Sequence, residues 1–110
     1  MKLCFTAKGA TLDSLSEDRF GRAPYFIIVE SENGSFEAIP NPYADGAGGV
    51  GPKAAQVLIA KDVKALISGQ VGGNAREVLV GAGIAMYTYN AGGSVKEAFD
   101  QFTKNTLVRT

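Results

Sequence analysis

Three glycine-rich breaks, at Gly46 to Gly51, Gly69 to Gly73 and Gly81 to Gly83, divide the second half of this chain into short strand and helix units. Glycine reaches backbone conformations that side chains forbid, so each break marks where one element stops and the next begins. The first two breaks each run into an expected helix. Backbone amides opening onto a helix N-terminus are a natural seat for an anion, which makes these loops the first place to look for function.

The stretches between the breaks have readable periods. Leu3 to Ala7 mixes apolar and β-branched residues and stops at Lys8, Gly9 and Ala10, as a buried strand followed by a loop would. Thr11 to Gly21 is polar and charged. Tyr25 to Val29 reads as a strand, Asn33 and Gly34 as a tight hairpin turn, and Ser35 to Ile39 as the returning strand. Pro40, Asn41 and Pro42 forbid continuation, leaving a long loop up to Gly51. From Pro52 the period becomes helical through Ala55, Leu58 and Ile59, with Asp62 just past the end. Ala65 to Ile67 is a short strand, Asn74 an expected N-cap for a helix to about Ala82, and Ile84 to Tyr89 a fifth strand. Ser94, three residues before Glu97, has capping-box spacing and starts a last helix over Val95, Ala98, Phe99 and Phe102, with a frayed tail from Thr103.

Shifting the sequence by 21 positions lays Ala54, Val57, Leu58 and Val63 over Ala75, Val78, Leu79 and Ile84. A strand and helix unit therefore recurs, and consecutive strand–helix–strand units imply right-handed parallel crossovers. The order β β β α β α β α predicts an α/β fold: a mixed five-stranded sheet flanked by helices, resembling a ribonuclease H-like motif.

The 110 residues suit a single domain spanning 1–110, with enough core to fold without staples. Eleven Lys plus Arg balance eleven Asp plus Glu, so no broad basic field draws nucleic acid and any anion site must be local. Histidine is absent and Cys4 is the only cysteine, which excludes an internal disulfide and any multi-thiolate metal site. Cys4 lies between Leu3 and Phe5 in an expected core strand, where it serves as a small apolar residue. No apolar run has the length of a signal core or membrane span, so the expectation is a cytoplasmic protein with no membrane partner.

Gly46, Ala47, Gly48, Gly49, Val50 and Gly51 spell the dinucleotide fingerprint G-x-G-x-x-G. That motif needs a buried strand directly before it and an acidic residue about 20 positions beyond. Here Asn41 to Asp45 precede it and Val71 stands near the acidic position. A phosphate-binding P-loop fails too, because Pro52 replaces the lysine and Ala54 the metal-binding hydroxyl. The loop is either a plain lead into a helix or an anion seat. Acidic residues such as Asp13, Glu17, Asp18, Asp45 and Asp62 do not converge, which argues against metal-dependent nuclease chemistry. Arg19 and Arg22, set between Gly21 and Pro24 and leading into a strand, could aim two guanidinium forks at one anion. Alternatively they are solvated or pair with Glu17 and Asp18.

The segment Ser16 to Phe26, SEDRFGRAPYF, continuing into IIVE, resembles the signature of the dinitrogenase iron-molybdenum cofactor biosynthesis family, which includes NifX-like proteins and the C-terminal domain of NifB-like proteins. Asn41 and Pro42, Gly48 to Gly51, Ile67 to Gly69 with Gly72 to Ala75, and Ala82 to Ile84 with Tyr87 follow in the family's order. The resemblance covers nearly the whole chain. It implies a ribonuclease H-like domain that binds or carries an iron-molybdenum cofactor, a related metal-sulfur cluster or a precursor, rather than an enzyme, with cofactor-assembly proteins as partners in nitrogen fixation. Such clusters are bulky anions. Arg19 and Arg22 would then be cationic clamps, and the amides near Gly48, Gly49, Gly51, Gly73 and Asn74 the anion donors. With no histidine and a buried cysteine, direct metal ligation is not expected, which leaves electrostatic capture, labile binding or binding of something else, without catalytic residues or metal ligands. Two other readings stay open: a regulatory or scaffold domain for a protein partner, and a nucleotide-binding or general anion-binding module.

Overall fold

Leu3, Cys4, Phe5, Thr6 and Ala7 are all buried, without the alternation of a half-exposed strand. A strand of this kind belongs at the centre of a sheet covered on both faces. The computed structural model describes all 110 residues and places β1 (Lys2–Ala7) there. β2 (Tyr25–Glu30) pairs antiparallel with β1, and β3 (Phe36–Pro40) pairs antiparallel with β2. On the other side β4 (Ala65–Ser68) runs parallel to β1, and β5 (Ala85–Thr88) runs parallel to β4. The sheet order is β3-β2-β1-β4-β5-β6, with β6 (Val108–Arg109) antiparallel on β5.

Three helices cover this sheet: α1 (Val50–Ala60), α2 (Gly73–Gly81) and α3 (Val95–Thr103). Register assigns the faces. Cys4 lies opposite Ile28 and Leu66, and Leu66 opposite Met86; all four pack with Ala54, Leu58, Ala75 and Leu79 of α1 and α2. Phe5 lies opposite Ile27 and Ile67, on the face that packs with Val95 and Ala98 of α3. The 21-residue repeat therefore has a packing meaning. Ala54 with Ala75, Leu58 with Leu79, and Val63 with Ile84 are buried in one cluster, and Val57 and Val78 lean on it from the outside. Truncating either repeated leucine to alanine removes about 2–5 kcal/mol.

Local chemistry explains the ends of the elements. Gly34, at φ 74°, turns the β2–β3 hairpin; its N–H donates to the Glu30 carbonyl at 2.8 Å. Asp62, at φ 62°, takes the left-handed position that ends α1. Ser94 Oγ accepts the Glu97 N–H at 3.1 Å, as the capping-box spacing predicts. The G-x-G-x-x-G letters span a loop and the start of α1; β3 has already ended at Pro40, so no strand feeds the first glycine.

Three expectations are corrected. The sheet has six strands rather than five. The tail does not fray: Asn105, at φ 58°, reverses the chain after α3, and β6 then pairs Val108 with Thr88 and Arg109 with Tyr87. The Arg76 guanidinium fastens this tail, donating to the Thr110 carbonyl at 3.3 Å and its Oγ1 at 3.1 Å. A two-residue strand has no period to detect. Finally, the N-cap of α2 is Gly72, and Asn74 is the second helical residue with no capping role.

Strands β1, β3, β4 and β5 all point the same way, so their carboxyl ends share one edge of the molecule with the N-termini of all three helices. From β1 the chain leaves toward β2, and from β4 toward β5. The crevice outside these two neighbouring strand ends is where an open α/β sheet offers a ligand site.

Candidate functional site: a groove between two helix N-termini

Two loops meet over that crevice. The Phe20 N–H donates to the Gln70 carbonyl at 3.0 Å, and the Gln70 N–H donates back to the Asp18 carbonyl. This ties the Arg19 segment to the β4–α2 loop as a small extra bridge. Gly69 makes it possible: a Cβ there would lie 1.8 Å from Asp18 Oδ1 and 2.6 Å from the Asp18 carbonyl oxygen. Below, Thr6 Oγ1 donates to the Glu17 carbonyl at 2.6 Å and sits 2.7 Å from Ser68 Oγ. Two further glycines set how closely the pieces approach. A Cβ on Gly21 would lie 3.2 Å from the Gly51 Cα, and one on Gly51 would lie 3.1 Å from the Ala75 Cβ. Gly51 therefore serves the close contact of α1 with α2 and with the Gly21 turn, beyond any service of its amide.

The long loop before α1 is fixed by two side chains. Asn41 is buried; its Nδ2 donates to the Gly21 and Ala23 carbonyls, each at 3.0 Å, while its Oδ1 accepts the Tyr43 N–H at 3.0 Å. Arg22 Nη1 donates to the Ala44 carbonyl at 3.0 Å and to the Gly46 carbonyl at 2.6 Å. Phe20, stacked on Phe26 with centroids 5.6 Å apart, forms the apolar floor. In the sequence Asn41 stands out as a strand breaker and, with Pro42, as a landmark of the family resemblance, but its structural role in holding the loop is not visible there. The nearest signal is an asparagine between two prolines, a setting in which its amide is free to satisfy loop backbone.

The result is a groove of about 400 Å³, with Arg19, Gly21, Arg22, Gly51, Gln70 and Gly72 among the residues that line it. Of the residues singled out in the sequence, the fold gathers Arg19, Arg22 and Gly51 on its wall. Gly73 and Asn74 are exposed in the first turn of α2, directly after the lining residue Gly72. Gly48 and Gly49 are exposed ahead of α1, Gly49 being its N-cap at φ 66°, and neither lines the groove. A larger depression, about 520 Å³, lies against α3, but its lining residues all come from that one helix and no loops converge on it.

The two helix ends at the groove carry no acidic compensation of their own. α1 and α2 begin at glycine caps that supply no side-chain acceptor, and neither has an acidic residue in its first turn. Their first-turn amides and positive dipole ends stay uncompensated. α3 differs, since Ser94 caps it and Glu97 lies in its first turn. Arg19 is two-thirds exposed, its Nε 3.7 Å from Glu17 Oε2, so the ion pair anticipated with Glu17 forms. Arg22 makes a different bond set from the acidic pairing considered, because its partners are the loop carbonyls.

Metal ligation has no support in this geometry. No three His, Cys, Asp or Glu side chains are grouped to hold a metal ion. Cys4 is fully buried in β1, and desolvation pushes its thiol far above the ordinary range, so it is neither thiolate nor accessible. The groove offers N–H donors and guanidinium charge, which suit an anion gripped by its outer atoms. No helix is long and apolar enough to cross a membrane.

The sequence profile described as dinitrogenase iron-molybdenum cofactor matches residues 1–105. An uncharacterized Methanocaldococcus jannaschii protein is 35% identical over 91 residues, covering 80% of this chain and 76% of that protein. Among solved structures, a Thermotoga protein described as a candidate NifB protein of the DUF35 family is 42% identical, with a TM-score of 0.87 over 98% of this chain and 91% of that one. The apo form of the orange protein from Desulfovibrio gigas is 32% identical, with a TM-score of 0.94 over 99% of this chain and 92% of that one. Sequence profile and backbone agree over almost the full length, and the chain belongs to the dinitrogenase iron-molybdenum cofactor family.

Proposed function

We propose that this protein is a small non-enzymatic carrier that holds an anionic metal-sulfur cluster, of iron-molybdenum type or a precursor of it, in the groove between the N-termini of α1 and α2. The observation that carries the reading is the pairing of two glycine-capped, acid-free helix N-termini with two arginines on one groove wall. Negative charge placed at such helix ends is favoured by about 0.3–1 kcal/mol per end, and more when partly buried. Charge-assisted hydrogen bonds to guanidinium add about 1.5–3 kcal/mol each. Family membership supports the nature of the cargo. The core order β3-β2-β1-β4-β5, with β2 antiparallel, supports reading the fold as a ribonuclease H-like motif.

In this mechanism the chain contributes no ligand bond. Arg19, on the exposed rim, contributes movable charge. Arg22 keeps one Nη on the Ala44 and Gly46 carbonyls, so the loop leading to α1 is set before the cargo arrives. The amides of Val50, Gly51, Gly73 and Asn74 present fixed donors, and the Phe20 floor excludes water beneath. Binding by outer atoms keeps the cargo exchangeable, which suits delivery to an assembly protein that owns thiolate or imidazole ligands, in a reducing cytoplasm. Anaerobic gel filtration with a synthetic anionic iron-molybdenum-sulfide cluster tests this. Visible absorbance should comigrate with the wild-type chain, and most of it should be lost from the Arg19→Ala, Arg22→Ala double variant. Equal retention by both proteins would sink the site.

A further inference from the structure

Glu17 sets a carboxylate beside the cationic wall of the groove. Its Oε2 accepts the Arg19 N–H at 3.0 Å and lies 3.7 Å from Arg19 Nε, so a carboxylate is already paired with one of the two groove arginines. The two partners are unequal in freedom. The Glu17 side chain is 12% exposed, against 65% for Arg19. The Glu17 backbone is anchored to β1 twice, its N–H donating to the Thr6 carbonyl at 2.9 Å and its carbonyl accepting from Thr6 Oγ1. Glu17 also lines a separate polar cavity of about 340 Å³, where the other charged groups are Lys8 and Asp18. Glu17 is the anchored, largely covered partner and Arg19 the solvent-facing one.

We propose that Glu17 is a built-in counter-anion for Arg19, so that the groove selects ligands carrying more than one negative charge. The proposal rests on the anion-site reading above and adds a selectivity rule to it. A monoanion recruiting Arg19 only exchanges one single charge for another, with no Coulombic gain to offset ordering the side chain. A dianion or a polyanionic cluster gains from the exchange. In the free protein the pair holds Arg19 against Glu17 and keeps chloride and carboxylates from filling the groove.

Perrhenate and tungstate separate charge from shape, since both are tetrahedral oxyanions of closely similar size, with one and two negative charges. Their affinities should be measured by calorimetry at low ionic strength for wild type, Glu17→Gln, Arg19→Gln and the double variant, with thermal melts to verify folding. Asp62→Asn, at the opposite end of α1, controls for net charge. Wild type should favour tungstate. Glu17→Gln should tighten perrhenate by about two- to fivefold, the range of an exposed ion pair, and narrow the preference. The gain should disappear in the Arg19→Gln background and be absent in Asp62→Asn. Tungstate binding by wild type with perrhenate unchanged in Glu17→Gln, or a gain that survives loss of Arg19, overturns the counter-anion role while leaving the site intact. Binding of neither anion by any variant overturns both.

Discussion

Replacing Gly69 by alanine should break the joint on which the groove depends. The new Cβ would sit 1.8 Å from Asp18 Oδ1, a clash that rotation of Asp18 relieves, and 2.6 Å from the Asp18 backbone carbonyl, which no rotation relieves. The bridge formed by Phe20 N–H to Gln70 and Gln70 N–H to Asp18 must therefore open or shift. Overpacking of this kind costs about 1–3 kcal/mol. Unfolding entropy of about 2.1 cal/mol/K per residue gives about 0.23 kcal/mol/K for a chain of this length, so Tm should fall by about 4–13 °C. Gly73→Ala is the matched control, because a Cβ there meets nothing within 4 Å and lies in the first turn of α2. It should raise stability by about 0.4–1 kcal/mol through the lost freedom of the unfolded chain, while keeping its amide for an anion. Thermal melts followed by circular dichroism read both changes, and cluster retention reads the groove. A Gly69→Ala protein as stable as wild type, with full retention, would refute the reasoning that this contact sets the site.

Other expectations are as direct. Asn41→Ala removes three hydrogen bonds within one buried joint and should destabilise by about 2–4 kcal/mol by chemical denaturation, with weaker cluster retention among the molecules still folded. Tyr89 is buried with its hydroxyl unpaired, so Tyr89→Phe should stabilise by about 1 kcal/mol in the same assay; a loss of that size would mean the hydroxyl is bonded. Cys4 should resist a thiol reagent in the native protein for as long as the protein stays folded and react at once in denaturant, and reaction at the surface-thiol rate would place it elsewhere. The amino terminus is paired with Glu30 at 2.8 Å, which raises the ammonium and, mainly through that hydrogen bond, lowers the Glu30 carboxyl. The pair's small contribution to stability is fully present between the ordinary values of 4.5 and 8.0. It should fade as pH rises through the raised ammonium and as pH falls through the lowered carboxyl. N-terminal acetylation should flatten the alkaline part of that profile.

The fold was legible where period and punctuation agree. The apolar and β-branched stretches, the Asn33–Gly34 turn, the Ser94 and Glu97 capping pair, and the 21-residue repeat each carry their own physical cause, and each has its counterpart in the sheet and helices. The boundary of α2 was misread because asparagine caps well in general, whereas here a glycine with extended backbone already does so two residues earlier. The sixth strand was invisible because its partner, not its composition, makes it a strand. At the site, Arg19, Arg22 and Gly51 were found from residue chemistry and do meet on one wall, yet two of their roles were not readable from spacing. That Arg22 spends a nitrogen on the Ala44 and Gly46 carbonyls, and that Gly51 is small for the sake of Ala75, are facts of long-range contact. Gly48 and Gly49 entered as amides of the helix-opening loop, and the fold leaves them off the groove wall.

Where an anion lands on the protein tests the groove most directly. Tungstate titrated into uniformly ¹⁵N-labelled protein, with amide shifts followed residue by residue, separates the three helix N-termini that share this end of the sheet. The largest saturable shifts should fall on Val50, Gly51, Gly73 and Asn74, with smaller changes at the Arg19 and Arg22 amides and none at Val95 to Glu97, whose helix end is already satisfied by Ser94. Shifts centred on the α3 N-terminus, or spread over the surface without saturation, would contradict the claim that the groove between α1 and α2 is the anion site.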